Sequence, residues 1–280
     1  MKVMVVGSRG MLGTDLMQAL ASHHLLGLDL PEMDITDARQ CREGVMDFRP
    51  DVIVDAAAMT NVDSCESHEE EALRVNGQGT GNLAAAAHAA GALMIYYSTD
   101  YIFDGTKKDG YLEEDAPNPL SVYGKSKLRG EEFVRSLCAE HLILRTSWLF
   151  GRNGKNFIRT IVDIAREGQP LRVVDDQRGS PTYTRDLAPY TLAMVAAGCR
   201  GTYHVTNSGS CTWYELALRS VEWAAVPGAC VVPVKTHEFP RPAPRPACSI
   251  LAHARLAREG FPPMRTWQEA VRDYITSTKI

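Results

Sequence analysis

The 280-residue sequence predicts an α/β fold, a doubly wound parallel sheet followed by a smaller C-terminal lobe. Three observations carry that expectation. Short apolar runs alternate with helical patterns through the first half, the signature of a parallel sheet covered on both faces. A glycine-rich loop follows directly on the first run. The second half then changes character, with shorter elements and prolines gathered between 227 and 246.

Taken in order, the run 3–6 is a Val-rich strand that ends in Gly7, and 11–20 carries apolar residues at helical spacing. Runs at 25–28, 52–56 and 93–97 give the next three strands. They are continuous rather than alternating, as expected of strands buried on both sides. Between the last two, 69–90 reads as one long helix, Ala-rich in its second half. A helix at 120–137 and a strand at 142–145 complete this half. Beyond it, helices are expected at 157–167, 187–197 and 214–225. The run FPRPAPRP at 239–246 reads as an irregular surface loop or linker, or as a loop folded over a ligand with Arg241 and Arg245. The expected division is a nucleotide-binding domain at 1–150, with further core elements around 184–206, and a mostly substrate-binding lobe at 151–280.

Composition bounds the function. Hydrophobic residues are 45% and charged residues 23%, ordinary for a globular chain, and the net charge of -4 offers no basic footprint for nucleic acid. No apolar run approaches the roughly 20 residues that span a membrane. The apolar stretch after Lys2 stops at Gly7, short of the core of about 7–15 residues in a signal peptide. The seven cysteines, at 41, 65, 138, 199, 211, 230 and 248, show no CxxC spacing. They read as reduced thiols of a cytoplasmic protein.

Gly7-Ser-Arg-Gly10-Met-Leu-Gly13 stands between the first strand and the first helix. In a dinucleotide loop the first glycine permits a tight turn, the second lets a pyrophosphate approach the backbone, and the third lets helix pack on strand. The helix N-terminus supplies N–H groups for the phosphates. This is the Rossmann-type arrangement. Asp29, at the end of the second strand, suits the ribose hydroxyls of NADH, whereas Arg9 within the loop suits the 2′-phosphate of NADPH. The two point to different cofactors, and Asp34 and Ile35 are placed to flank the adenine.

Tyr123-Gly-Lys-Ser-Lys127 puts a phenol and an ammonium one helical turn apart on one face. An adjacent ammonium is expected to lower the phenol pKa toward neutrality and fit it for proton transfer to a carbonyl. Tyr97-Ser-Thr99-Asp100 ends a parallel strand, where ligands of such sheets bind. Thr99 is placed to hold the substrate oxygen and help position Tyr123, with Asp100 beside it. Arg178, Arg241 and Arg245 lie in loops of the second half and suit a diphosphate. Asn156 and Thr182 are candidates for the sugar or base.

Together these motifs resemble the extended short-chain dehydrogenase/reductase family. The segments RPDVIVDAAAMTNVDSCE (49–66), YSTDYIFDG (97–105), PLSVYGKSKLRGE (119–131), LRTSWLFG (144–151), RGSPTYTRDLA (178–188) and RPACSIL (245–251) resemble its dTDP-4-dehydrorhamnose reductases. The resemblance implies reduction of the C4 ketone of dTDP-4-dehydro-β-L-rhamnose by NADPH or NADH, in dTDP-rhamnose biosynthesis. It implies Thr99, Tyr123 and Lys127 as catalytic residues. It implies cofactor contacts from Gly10, Met11, Leu12, Asp29, Asp34, Ile35, Ala57, Ala58, Met59 and Tyr97, and a substrate contact from Trp148. Met59 stands where the family often has His. The family also suggests Mg2+ at a homodimer interface, although no metal-binding motif stands in the chain. Two other readings are an epimerase or dehydratase of the same superfamily, and a regulatory subunit like the beta subunit of methionine adenosyltransferase. Dehydratases carry an acidic pair after the Thr, and here Asp100 is followed by Tyr101. The intact Thr99, Tyr123 and Lys127 argue against a chain that has lost catalysis.

Overall fold

A computed structural model describes residues 1–280. Its centre is a six-stranded parallel sheet. Five strands come from the first half: β1 (Lys2–Val6), β2 (His24–Leu28), β3 (Val52–Asp55), β4 (Leu93–Thr99) and β5 (His141–Thr146). The sixth, Gly201–His204, returns from the second half, giving the spatial order Gly201–His204, β5, β4, β3, β1, β2. Strands β1 and β3 lie side by side although β2 comes between them in sequence. The connections diverge there, so a crevice opens at the carboxyl ends of β1, β3 and β4.

Alternation along these strands divides the core into two layers. Val3, Val5, Ile95, Leu142 and Leu144 face one side, under helix α1 (Met11–Ala19) and the helix Thr184–Ala196. Met4, Val6, Ile53, Met94, Tyr96 and Ile143 face the other, with Leu83, Ala87 and Val134 from the helices Thr80–Ala90 and Val122–Leu137. Both β3 and β4 are buried along their whole length, which is why their sequences are continuous apolar runs.

The expected helix over 69–90 is interrupted. Regular turns at Glu69–Ala72 and Thr80–Ala90 flank a π-helical stretch, Leu73–Gly79. Inside it, Asn76 receives the Met59 N–H at 2.8 Å and donates to the Met59 carbonyl at 3.0 Å and Ser126 Oγ at 2.9 Å. A side chain that binds a neighbouring loop from within a helix is a recognised setting for a π-bulge. Helix α2 (Ala38–Phe48) was not expected, because only Cys41 and Val45 of it are buried. Its local signal is the N-cap Asp37, which accepts from the N–H groups of Arg39 and Gln40.

In the second half the helices Phe157–Arg166, Trp213–Trp223 and Trp267–Thr278 close around Phe150, Tyr183, Leu216 and Tyr274. Thr266 and Glu269 form the capping box that starts the last of these. The proline-rich run is an irregular strap. Its Ala243 N–H and Arg245 guanidinium both bond Asp63 Oδ1, at 3.2 and 2.6 Å, which ties it back to the nucleotide-binding half. No helix is long and apolar enough to cross a membrane.

Candidate active site

The glycine loop is shaped by its neighbours. Gly7 has φ +78°, and a Cβ there would come within 2.6 Å of the Ala57 nitrogen. A Cβ on Gly13 would collide with the Gly7 carbonyl, so the third glycine is what lets α1 close on β1. Gly10 is different: a Cβ there would meet only the Gly7 carbonyl, at 3.2 Å, and its open side faces the crevice. No side chain caps the first turn of α1, so its N–H groups are free for a phosphate.

Two cavities of about 450 and 280 Å³ meet at Gly10 and Ala56–Ala58. The smaller is lined by Gly7, Asp29, Asp34, Ile35 and Met59. The larger is lined by Met11, Leu12, Tyr97, Thr99, Asp100, Tyr123, Lys127 and Trp148. These sequence-predicted residues thus fall along one groove that suits an extended dinucleotide and a second ligand. Ser98, Asp100 and Thr146 add polar side chains to its lining.

At the outer end of the groove, Asp29 accepts the N–H groups of Arg9 and Leu30, both at 2.9 Å. The Arg9 guanidinium does not line the groove. It pairs with Glu32, at 2.9 Å through Nη1, and with the Leu30 carbonyl. That pairing pulls the Glu32 carboxyl down to about 2. Asp34 is turned inward on its own loop, where it accepts from Thr36 N–H and Oγ1.

The helix Val122–Leu137 begins at Ser121, whose hydroxyl caps the Gly124 N–H at 3.1 Å, while Glu66 accepts the Val122 N–H at 2.8 Å. Gly124 packs against the Tyr101 carbonyl so closely that any Cβ would collide with it. This glycine, inside the YGKSK motif, is what lets the helix approach the turn after β4 and sets Tyr123 beside Thr99. The Tyr123 and Tyr101 rings meet edge to face, with centroids 5.7 Å apart. Thr99 Oγ1 accepts the Tyr101 N–H and donates to Asp100 Oδ1 at 3.1 Å.

The electrostatics differ from the sequence-based expectation. Burial raises the Tyr123 phenol above its ordinary value, and the Thr99 hydroxyl draws it only partly back. Desolvation of the phenolate is the dominant effect. Lys127 is itself lowered, to about 8, by burial against the opposing pull of Asp55 and Glu131. Burial pushes Asp55 up to about 6 and Asp100 up to about 7.

Four residues expected at the substrate lie elsewhere. Asn156 caps the helix Phe157–Arg166 through its Oδ1 and spends its amide on the Gly151 carbonyl and Tyr274 hydroxyl. Thr182 is fully buried and donates to the Ser180 carbonyl. Arg178 is exposed and reaches Ser210 at 3.4 Å. Arg245 is the ion-pair partner of Asp63. Polar residues were assigned here by chemical type, and capping and ion pairing satisfy the same atoms. Conversely, Thr60, Thr146, Ser147, Lys155 and Trp213 line the larger cavity and were not foreseen. Trp213 stacks on Trp148, centroids 3.5 Å apart and planes 8° from parallel. Trp148 holds a left-handed backbone, φ +49°, an unusual state for a bulky residue that clusters at functional sites. No group of three or more His, Cys, Asp or Glu side chains is placed to hold a metal ion, so the expected Mg2+ has no ligand set within one chain.

Comparison with known proteins agrees with this geometry. A family profile described as RmlD substrate binding domain matches residues 1–280. The spore coat polysaccharide biosynthesis protein SpsK of Bacillus subtilis (strain 168) is 40% identical, over 98% of this chain and 96% of its own. The dTDP-4-dehydrorhamnose reductase of Escherichia coli (strain K12) is 37% identical over the whole of both chains. A crystal structure of dTDP-4-dehydrorhamnose reductase from Bacillus anthracis str. Ames, in complex with NADP, superposes with a TM-score of 0.96 at 38% identity, covering 99% of each chain. The chain therefore belongs to the family of dTDP-4-dehydrorhamnose reductases.

Proposed function

We propose that this chain reduces the C4 ketone of dTDP-4-dehydro-β-L-rhamnose to the alcohol, completing dTDP-β-L-rhamnose. The observation that carries the reading is the convergence of Thr99, Tyr123 and Lys127 on one cavity continuous with the glycine-loop groove. A reduced nicotinamide, from NADPH or NADH, supplies the hydride when bound. Gly7, Gly10 and Gly13 with the start of α1 would hold its pyrophosphate, and Asp29, Asp34, Ile35 and Met59 its adenosine end. Met11, Leu12, Ala57, Ala58 and Tyr97 would line the path to the reacting carbon.

The sugar ketone would sit against Thr99 and Tyr123. As hydride reaches C4, the carbonyl π electrons move to oxygen, and that oxygen takes the Tyr123 proton. A phenol whose pKa is raised by burial is fully protonated at neutral pH, which is the form a reduction needs. The Lys127 ammonium would then stabilise the phenolate left behind, until water returns the proton. Trp148 and Asp100 would fix the sugar, and Lys155, exposed at the rim, would face the diphosphate. The reaction would take place in the cytoplasm, in keeping with seven unbridged cysteines, and a homodimer belongs to the same proposal.

The test mixes purified protein with dTDP-4-dehydro-L-rhamnose and either NADPH or NADH, and follows absorbance of the reduced nicotinamide. Oxidation coupled to dTDP-rhamnose formation is the expected result. No oxidation with either cofactor sinks the reading.

A further inference from the structure

Lys127 is held in an unusual way. The residue is 3% exposed, and a buried ammonium needs compensation. One compensating group is an aromatic face: the Lys127 Nζ stands 4.1 Å from the centroid of the Tyr96 ring. Tyr96 is fully buried on β4 and points to the sheet face covered by the helix Val122–Leu137. Its hydroxyl donates to the backbone carbonyl of Lys127 at 3.1 Å. Gly130, one turn further on, makes room for that hydroxyl, since any Cβ there would collide with it. One ring therefore touches the same lysine at the carbonyl and at the ammonium.

We propose that Tyr96 is a positioning residue for Lys127, fixing its backbone through the hydroxyl and presenting a π face that keeps its ammonium charged and aimed at the cleft. The proposal rests on the role given to Lys127 above. A cation over a desolvated aromatic face gains an attraction that the neutral amine lacks. The other groups acting on the ammonium are Asp55 at the end of β3 and Glu131 on the same helix, itself committed to Arg145. Asp55 is drawn up to about 6, so it is an anion above neutrality and does not titrate where Lys127 does. Loss of the π face would therefore move the Lys127 transition toward lower pH, and loss of the hydroxyl alone would not.

The experiment uses the full chain with NADPH and dTDP-4-dehydro-L-rhamnose, and compares the pH dependence of kcat in wild type, Tyr96→Phe, a variant with pentafluorophenylalanine in place of Tyr96, and Lys127→Met. The fluorinated ring keeps the shape of Phe but reverses its quadrupole, and thermal melts confirm that each variant is folded. The Phe variant is expected to keep the wild-type alkaline limb, with kcat within about threefold, because the face remains. The fluorinated variant is expected to shift that limb down by about one pH unit, which lowers kcat about fivefold at pH 8. A fluorinated variant whose limb coincides with that of Tyr96→Phe overturns the proposal. So does a Phe variant shifted as far as the fluorinated one, because the hydroxyl would then be responsible. If Lys127→Met retains both turnover and limb, the role of Lys127 falls and the proposal falls with it. If Lys127→Met is inactive while both ring variants match wild type, only the role of Tyr96 is lost.

Discussion

Tyr123 enters this cleft as a neutral phenol, and two predictions follow from its surroundings. Removing its hydroxyl would remove the proposed proton donor but leave the groove intact. Tyr123→Phe should lower turnover by about 100-fold or more, the range for losing a positioned acid, while binding of NADPH, read by its fluorescence, is unchanged. Lys127 sets the second. Its folded pKa is depressed to about 8, and in the proposed mechanism its charged form stabilises the phenolate. Activity should therefore be present below that value and decline as pH rises through it, and a kcat profile between pH 6 and 10 checks the sign. At this scale the motif residues were legible: Thr99, Tyr123, Lys127 and the glycines all lie where their spacing puts them. The direction of the Tyr123 pKa was not legible, because burial is a property of the surrounding fold and no spacing records it.

At the scale of elements, the helix Val122–Leu137 carries both Tyr123 and Lys127, and its seating on the sheet fixes their aim. Glu131, on that helix, is fully buried and accepts two bonds from Arg145 of β5, both at 2.9 Å, with Arg135 on the same carboxylate. A bidentate buried pair holds geometry well, but losing one partner strands a charge. Glu131→Ala should therefore lower the free energy of unfolding by about 3–5 kcal/mol, measured by urea denaturation. Replacing Glu131 and Arg145 together with apolar residues of similar size should cost much less. The π-helical stretch at Leu73–Gly79 belongs to this scale too. Sequence periodicity predicted an unbroken helix there, since nothing in the spacing reveals that Asn76 clamps the loop at Met59. Helix α2 was missed for the opposite reason: its buried face is narrow, and only Asp37 marks its start.

Across the whole molecule, the two halves are stitched by chain segments that cross between them. The strand Gly201–His204 completes the sheet from the far half, and Thr184 bonds Asp15 of α1. The proline-rich strap makes the third crossing at Asp63, through Ala243 and Arg245. Asp63→Ala should release that strap. Hydrogen exchange at the Ala243 amide should accelerate about tenfold, the equivalent of one modest hydrogen bond, with amides of the central sheet unchanged. Equal exchange in the variant and wild type would show that other contacts hold the strap. From sequence, Arg245 was read as a diphosphate ligand, and a guanidinium suits that ligand as well as it suits a carboxylate. Only the arrival of Asp63 from 182 positions earlier distinguishes the two.

What the sequence determined by itself is whatever local pattern encodes: the alternation that makes a parallel sheet, the glycines that make a phosphate loop, and the four-residue spacing that puts Tyr123 above Lys127. Those features depend on neighbours a few residues away. The tertiary structure decided the rest, because it alone brings distant groups into one low-dielectric space. It raised the Tyr123 phenol through burial, withdrew Arg9 to Glu32, and stacked Trp213 on Trp148. It also set the ring of Tyr96 under the ammonium of Lys127.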